Sequence, residues 1–244
     1  MLALLNRILW AALVAGIVAG VATAVLQHFT TTPLILEAER YEGSPAPLAD
    51  FGGARLVLAH AGEDHAAGRA WSPTDGIERT LSTSVATIAT AFGFALVLLS
   101  AMILGNATIT ARSGLMWGLA GFAATGLAPA LGLSPELPGA AAADLFARQL
   151  WWVGTAVATA GGLWLELRIS TPLAIAGGIV LMILPHVVGA PHPHEYTSVV
   201  PSELSGHFAA ASLVVHAVMW ALAGSVAGYV WQRAEAKQAA AAAA

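Results

Sequence analysis

The chain has 244 residues, of which 57% are hydrophobic and only 10% charged, with a mean hydropathy of +0.73. Soluble domains carry about 25% charged residues, so this composition belongs to the membrane class. The absence of cysteine removes disulfides, Fe–S clusters and thiolate metal sites, and a net charge of −4 without a basic patch argues against nucleic acid as a partner.

Six segments, near residues 8–28, 81–104, 113–131, 149–165, 172–190 and 208–230, are free of Asp, Glu, Lys and Arg. Each is long enough to cross, or nearly cross, roughly 30 Å of hydrocarbon. They predict an all-α integral membrane protein, one membrane domain over 1–244, with about six transmembrane helices and a long outer loop, 29–80, after the first. The first segment ends near Ala22-Thr23-Ala24, which resembles a signal cleavage site, but its apolar run exceeds a signal's usual 7–15 residues. It is read as a retained anchor.

In the loop, Thr32-Pro33 opens a short helix over 34–41 carrying Glu37 and Glu39. A Gly/Pro-rich connector follows over 43–53, and then His60, Glu63, Asp64 and His65 fall within six residues. Ser72-Pro73 reads as the cap and first position of a helix running into the second span, which places Glu78 and Arg79 at its outer mouth. Gly16 and Gly20, and again Gly224 and Gly228, are Gly-x-x-x-Gly pairs that mark close helix packing. Pro129 predicts a kink near the outer end of the third span. Arg148 can snorkel from the fourth span, and Trp151-Trp152 fit an interfacial aromatic belt. Residues 234–244 form a low-complexity Ala-rich tail.

Orientation follows from the short loops. With the N-terminus inside, the inner side holds Arg7, Arg112, Arg168, Arg233 and Lys237 against only Glu166 and Glu235. Every other carboxylate, and every histidine except the deeper His216, then falls at or beyond the outer ends. Both termini are expected in the cytoplasm.

The densest chemistry lies in 182–216, which holds five of the eight histidines. Imidazole and carboxylate suit borderline divalent metals. His186 follows Pro185 near a span end, and Glu203 and His207 share a helix face at four-residue spacing. His192 and His194 flank Pro193 in the loop between them. His216 lies half a turn away from His207 around the helix, as a deeper site, a core hydrogen bond or an axial ligand to a tetrapyrrole. Candidate metal residues are therefore His186, His207, Glu203, His192, His194 and His216. An outer capture set adds His28, His60, His65, Glu63, Asp64 and Glu78. Each also has a plain structural reading as a solvated or capping group.

Lysine occurs once, at Lys237, so no Walker A loop exists to bind ATP, and no organic cofactor is expected. No His-Glu-x-x-His motif supports a catalytic zinc, and no enzyme activity is expected.

Four blocks in order carry a family resemblance. They are Trp71-Ser-Pro-Thr-Asp-Gly-Ile-Glu-Arg-Thr80; Trp117-Gly-Leu-Ala-Gly-Phe122 with Leu127-Ala-Pro-Ala-Leu-Gly-Leu133 and Pro135-Glu-Leu-Pro-Gly139; Arg148-Gln-Leu-Trp-Trp152; and Leu184-Pro-His-Val-Val-Gly-Ala-Pro191. Together they resemble the CbtA family of bacterial cobalt transporter subunits. The resemblance implies a multi-pass inner-membrane protein for cobalt (Co²⁺) uptake, tied to cobalamin biosynthesis, with a small single-span histidine-bearing partner, CbtB. Ser134 stands where a second proline is expected, and the His192–His194 doublet falls outside the family pattern. The alternative reading is a non-transporting accessory subunit of a larger membrane complex, binding a haem or chlorophyll-type pigment through His216 or His28.

Overall fold

A computed structural model describes residues 2–42, 73–193 and 198–243, and among these every regular element is a helix. Helix α1 spans Leu2–Phe29, α2 Thr31–Glu42 and α3 Ile77–Leu104. Helix α4, Ala111–Phe122, passes through a π turn, Ala123–Leu127, into the short α5, Ala128–Ala130. Helix α6, Leu145–Trp164, ends in a second π turn, Leu165–Ile169; α7 spans Pro172–Val188 and α8 Ser202–Ala243. By length and composition, α1, α3 and α8 can each cross a membrane unaided.

Local chemistry sets the boundaries. Thr110 and Ser113 form a reciprocal capping box at the start of α4, Ser113 N–H donating to Thr110 Oγ1 at 3.2 Å and Thr110 N–H to Ser113 Oγ at 2.9 Å. The Asp144 carboxylate accepts from Ala147 N–H at 2.9 Å to start α6, and Thr171 with Pro172 opens α7. Asn106 and Ser170 take positive φ, 48° and 54°, in the turns that close α3 and α6.

Three boundaries differ from expectation. Helix α3 starts at Ile77, not at Pro73, because Gly76 at φ 98° breaks the backbone and Thr74–Gly76 form a turn that Glu78 closes. The fourth apolar segment is longer than 149–165, remaining helical over 145–169. Helix α8 has 42 residues, so the Ala-rich tail continues it to Ala243, as expected of the strongest helix former. Pro129 does mark irregularity in the third segment. Its ring cannot donate to the preceding turn, and the π turn lies there.

Helices pack antiparallel through glycine. A Cβ on Gly16 would lie 2.6 Å from Phe92 Cα, and one on Gly20 2.4 Å from Ile88 Cα, so α1 and α3 touch backbone to backbone. Gly224 and Gly228 do the same against Gly114 and Thr110 of α4, and Gly162 of α6 against Gly178 of α7. Ala11, Ala15 and Ala19, Ala91 and Ala95, and Ala223 and Ala227 fill the α1–α3–α8 core. In lipid such contacts stabilise by dispersion at short range, because apolar surface gains nothing by leaving hydrocarbon. Leu99, Met102 and Ile109 join that core, while many other aliphatic side chains point outward, among them Val85, Val97, Val157 and Val187. α6 and α7 form a pair joined to the rest through α6, and α7 does not pack against α8.

Arg7 pairs with Glu235 at 3.0 Å and lies 4.6 Å over the Trp231 ring, which fixes the start of α1 beside the end of α8. His28 therefore lies at the other end. There α2 folds back, and Ala38 packs with Leu137 and Val200 to cap the bundle.

Candidate metal-capture face and cavity

The antiparallel order collects the ends of α1 and α7 and the starts of α3, α6 and α8 on the face opposite Arg7 and Glu235. His28, exposed, sits edge-on to Phe29 at the end of α1. His186 is half-buried in the last turn of α7, 5.7 Å edge-to-face from the Trp151 ring. Trp151 also donates its indole N–H to the Pro185 carbonyl at 3.1 Å, so α6 holds His186 in place. The Pro185 carbonyl, which also receives Gly189 N–H, is not left free for a metal. Glu203 and His207 lie one turn apart on α8, both exposed, and His192 is exposed in the connecting loop.

The structure does not bring His186 and His207 together, since their helices do not pack on each other. No group of three or more His, Asp or Glu among the described residues is close enough to hold a metal ion. His60, Glu63, Asp64, His65 and His194 lie outside the described residues.

Glu78 acts as a cap. Its carboxylate accepts the Thr74 hydroxyl and the Thr74 N–H, and these two bonds hold it below the usual carboxylate range. Arg79 clamps Glu39 of α2 and Asp75, the latter at 3.0 Å, and the pair of carboxylates raises its already high affinity for a proton. Three acids on the histidine face are thus already occupied.

A cavity of about 640 Å³ opens between the 133–136 turn, the π turn before α5, the first half of α6 and α8. Glu136 and Arg148 line it as an ion pair at 2.6 Å, with the Arg148 Nε buried and without a hydrogen-bond partner among the described residues. Ser212 and His216 line it from α8. His216 Nε2 accepts the Trp220 indole N–H at 2.8 Å, and Phe94 and Phe122 complete an aromatic box. Because an indole only donates, the proton of the neutral ring sits on Nδ1, which faces Gly126. In this arrangement His216 offers the cavity a donor and not a lone pair. Sequence reading missed the Glu136–Arg148 pair, whose signal was the Pro135-Glu-Leu-Pro block standing ten residues before α6.

An all-helical bundle with glycine contacts inside and aliphatic side chains outside is an integral membrane protein of the helical class. Its sequence matches the family described as "Probable cobalt transporter subunit (CbtA)" over residues 5–232, and the chain belongs to that family. No curated protein and no solved structure matches it.

Proposed function

We propose that the chain admits a divalent cation, cobalt first, across the bacterial inner membrane from its His- and Glu-rich face. On this reading the chain crosses six times, through α1, α3, α4 with α5, α6 with its π turn, α7 and α8, with both termini in the cytoplasm; α1, α3 and α8 are by length and composition able to cross. The observation that carries it is the sorting of ligands along the bundle. His28, His186, His192, Glu203 and His207 share one face with the cavity, while Arg7 and Glu235 mark the other. Capture draws on these groups together with His194, His60, His65, Glu63 and Asp64. His216 joins as a ligand only after Trp220 turns away. Imidazole and carboxylate release an ion more readily than a thiolate cage. Cobalt is the substrate, and a small CbtB-like single-span subunit completes the complex.

Energetics permit uptake without ATP. A potential of about 100 mV is worth roughly 2.3 kcal/mol per charge, hence about 4.6 kcal/mol for a dication moving inward. At about 1.4 kcal/mol per decade that supports roughly thousandfold accumulation. The test is cobalt, nickel and zinc uptake into cells lacking competing importers, with the chain expressed alone and with its partner. Cobalt accumulation that collapses with the membrane potential supports the reading. Failure of both expressions to raise any metal, with both proteins present in the membrane, would leave an accessory subunit instead.

A further inference from the structure

The cavity of about 640 Å³ between the 133–136 turn, α6 and α8 has the size of a small-molecule pocket, typically about 300–1,000 Å³. Its lining mixes three kinds of chemistry. Glu136 and Arg148, the latter in the first turn of α6, form an ion pair at 2.6 Å in which each side chain keeps 27% of its surface exposed. Ser212 and His216 line the cavity from α8, roughly three and four turns into that helix at about 3.6 residues per turn. His216 carries its proton on Nδ1, so both residues can donate to a ligand oxygen. The rest of the wall is apolar, and no other Asp, Glu, Lys or Arg lines it among the described residues.

Leu145, Trp152 and Val153 of α6 line the cavity and are also exposed on the surface of the bundle. In a helical membrane protein that surface meets lipid, so the cavity opens sideways into the bilayer and suits an amphiphile. Charge then narrows the head group. A carboxylate has two oxygens and a guanidinium five N–H groups, so one contact leaves each partner with capacity to spare. The pair is neutral as a whole. A ligand of single net charge would be attracted by one partner and repelled by the other, where uncompensated charge is costly. A zwitterion satisfies both, with its phosphate on guanidinium N–H groups and its ammonium on the carboxylate. A primary ammonium fits Glu136 better than a quaternary one, which has no N–H to donate.

We infer that this cavity binds one zwitterionic phospholipid with a primary ammonium head group, of the phosphatidylethanolamine class. The phosphate sits on Arg148 and the ammonium on Glu136. An ester carbonyl accepts from Ser212 or His216, and the acyl chains leave past Leu145, Trp152 and Val153. The cavity is open as it stands, so no helix has to move. The site does not depend on which ion the histidine face captures, and its test does not use metal uptake.

The full-length protein in detergent is offered equal amounts of phosphatidylethanolamine, phosphatidylglycerol and phosphatidylcholine with identical chains, and retained lipid is counted by native mass spectrometry. Phosphatidylethanolamine should be retained roughly tenfold better than the others, the worth of one charge-assisted hydrogen bond. Glu136→Gln leaves Arg148 a lone cation, so the preference should turn to the anionic phosphatidylglycerol, a reversal that mere loss of folding does not produce. Val153→Trp keeps the ion pair and fills the side opening, and should lose the bound lipid at unchanged Tm. This second variant decides the matter if Glu136→Gln does not fold. Glycerophosphoethanolamine, the head group without chains, should not displace the lipid at equal concentration. Equal retention of the three lipids, or an ethanolamine preference that survives either substitution, overturns the inference. So does displacement by the chain-free head group, which would make this a site for a soluble ligand.

Discussion

The Trp220 indole N–H donates to His216 Nε2 across 2.8 Å, one helical turn apart on α8, with Phe94 stacked on Trp220 at 4.2 Å. The bond uses the lone pair that a metal would need. Trp220→Phe keeps the stacking and removes the donor, leaving a largely buried acceptor unpaired. Loss of about 1–2 kcal/mol of stability is expected, seen as a lower Tm in detergent. The variant should also gain a cobalt-dependent absorption band that disappears when His216→Ala is added. The same band in the parent protein would show that Trp220 does not lock the ring.

The apolar stretches, the short helix α2 and the two Gly-x-x-x-Gly pairs were legible because lipid leaves only helices and small-residue contacts available. Helix starts at Thr110, Asp144 and Thr171 follow the capping chemistry of those residues. The start of α3 was misplaced, because Ser72-Pro73 carries the same signature as a true cap while the deciding feature is a positive φ at Gly76. The facing partners were not legible at all. That Gly224 meets Gly114, that Arg148 reaches Glu136, and that α7 leans on α6 away from α8 depend on helix order around the bundle, which local pattern does not encode.

Gly224 has no room for a side chain. Its Cβ would lie 2.2 Å from the Gly114 carbonyl oxygen, a backbone atom that moves only with its helix. Gly224→Ala should cost about 1–3 kcal/mol as overpacking, measured as lost Tm. Gly154→Ala, where nothing lies within 4 Å, should be neutral or slightly stabilising. Equal effects from both would mean that α4 and α8 do not cross closely there.

Glu78 gives the start of α3 a pH dependence. Its affinity for a proton is lowered in the folded state by the Thr74 bonds, so its contribution is present above the ordinary carboxylate range. The contribution is lost as pH falls through the lowered value. Amide exchange over residues 74–80 should be slower in the parent than in Glu78→Gln above about pH 5, and the two should converge in stronger acid. Unequal protection in acid, or equal protection at neutral pH, would remove Glu78 as the cap.

With no native cysteine, single cysteines report sidedness directly. Ala140 and Ser198 lie in connections on the histidine face, while exposed Thr108 and Ala236 lie on the face of Arg7 and Glu235. Thr108 serves better than Thr110, whose side chain caps α4. An impermeant thiol reagent added outside intact cells should label the first two and spare the others. The opposite pattern would turn the histidine face to the cytoplasm.

His186 and His207 provide the sharpest test of the proposed capture face. His186 is gripped by α6 through Trp151 and Pro185, whereas His207 stands exposed on the first turns of α8, and α7 does not pack on α8. On the proposed capture reading, this arrangement has them serve separate steps and not bind one ion together. Residues without shared partners add within about 0.3–0.5 kcal/mol. His186→Ala and His207→Ala should therefore each reduce cobalt uptake at low concentration, and the double variant should lose the product of the two factors. Uptake must be compared at equal membrane abundance, since impaired folding imitates impaired transport. A double variant no worse than either single one would mean a shared ion, and α7 and α8 would then have to close on each other in the working state.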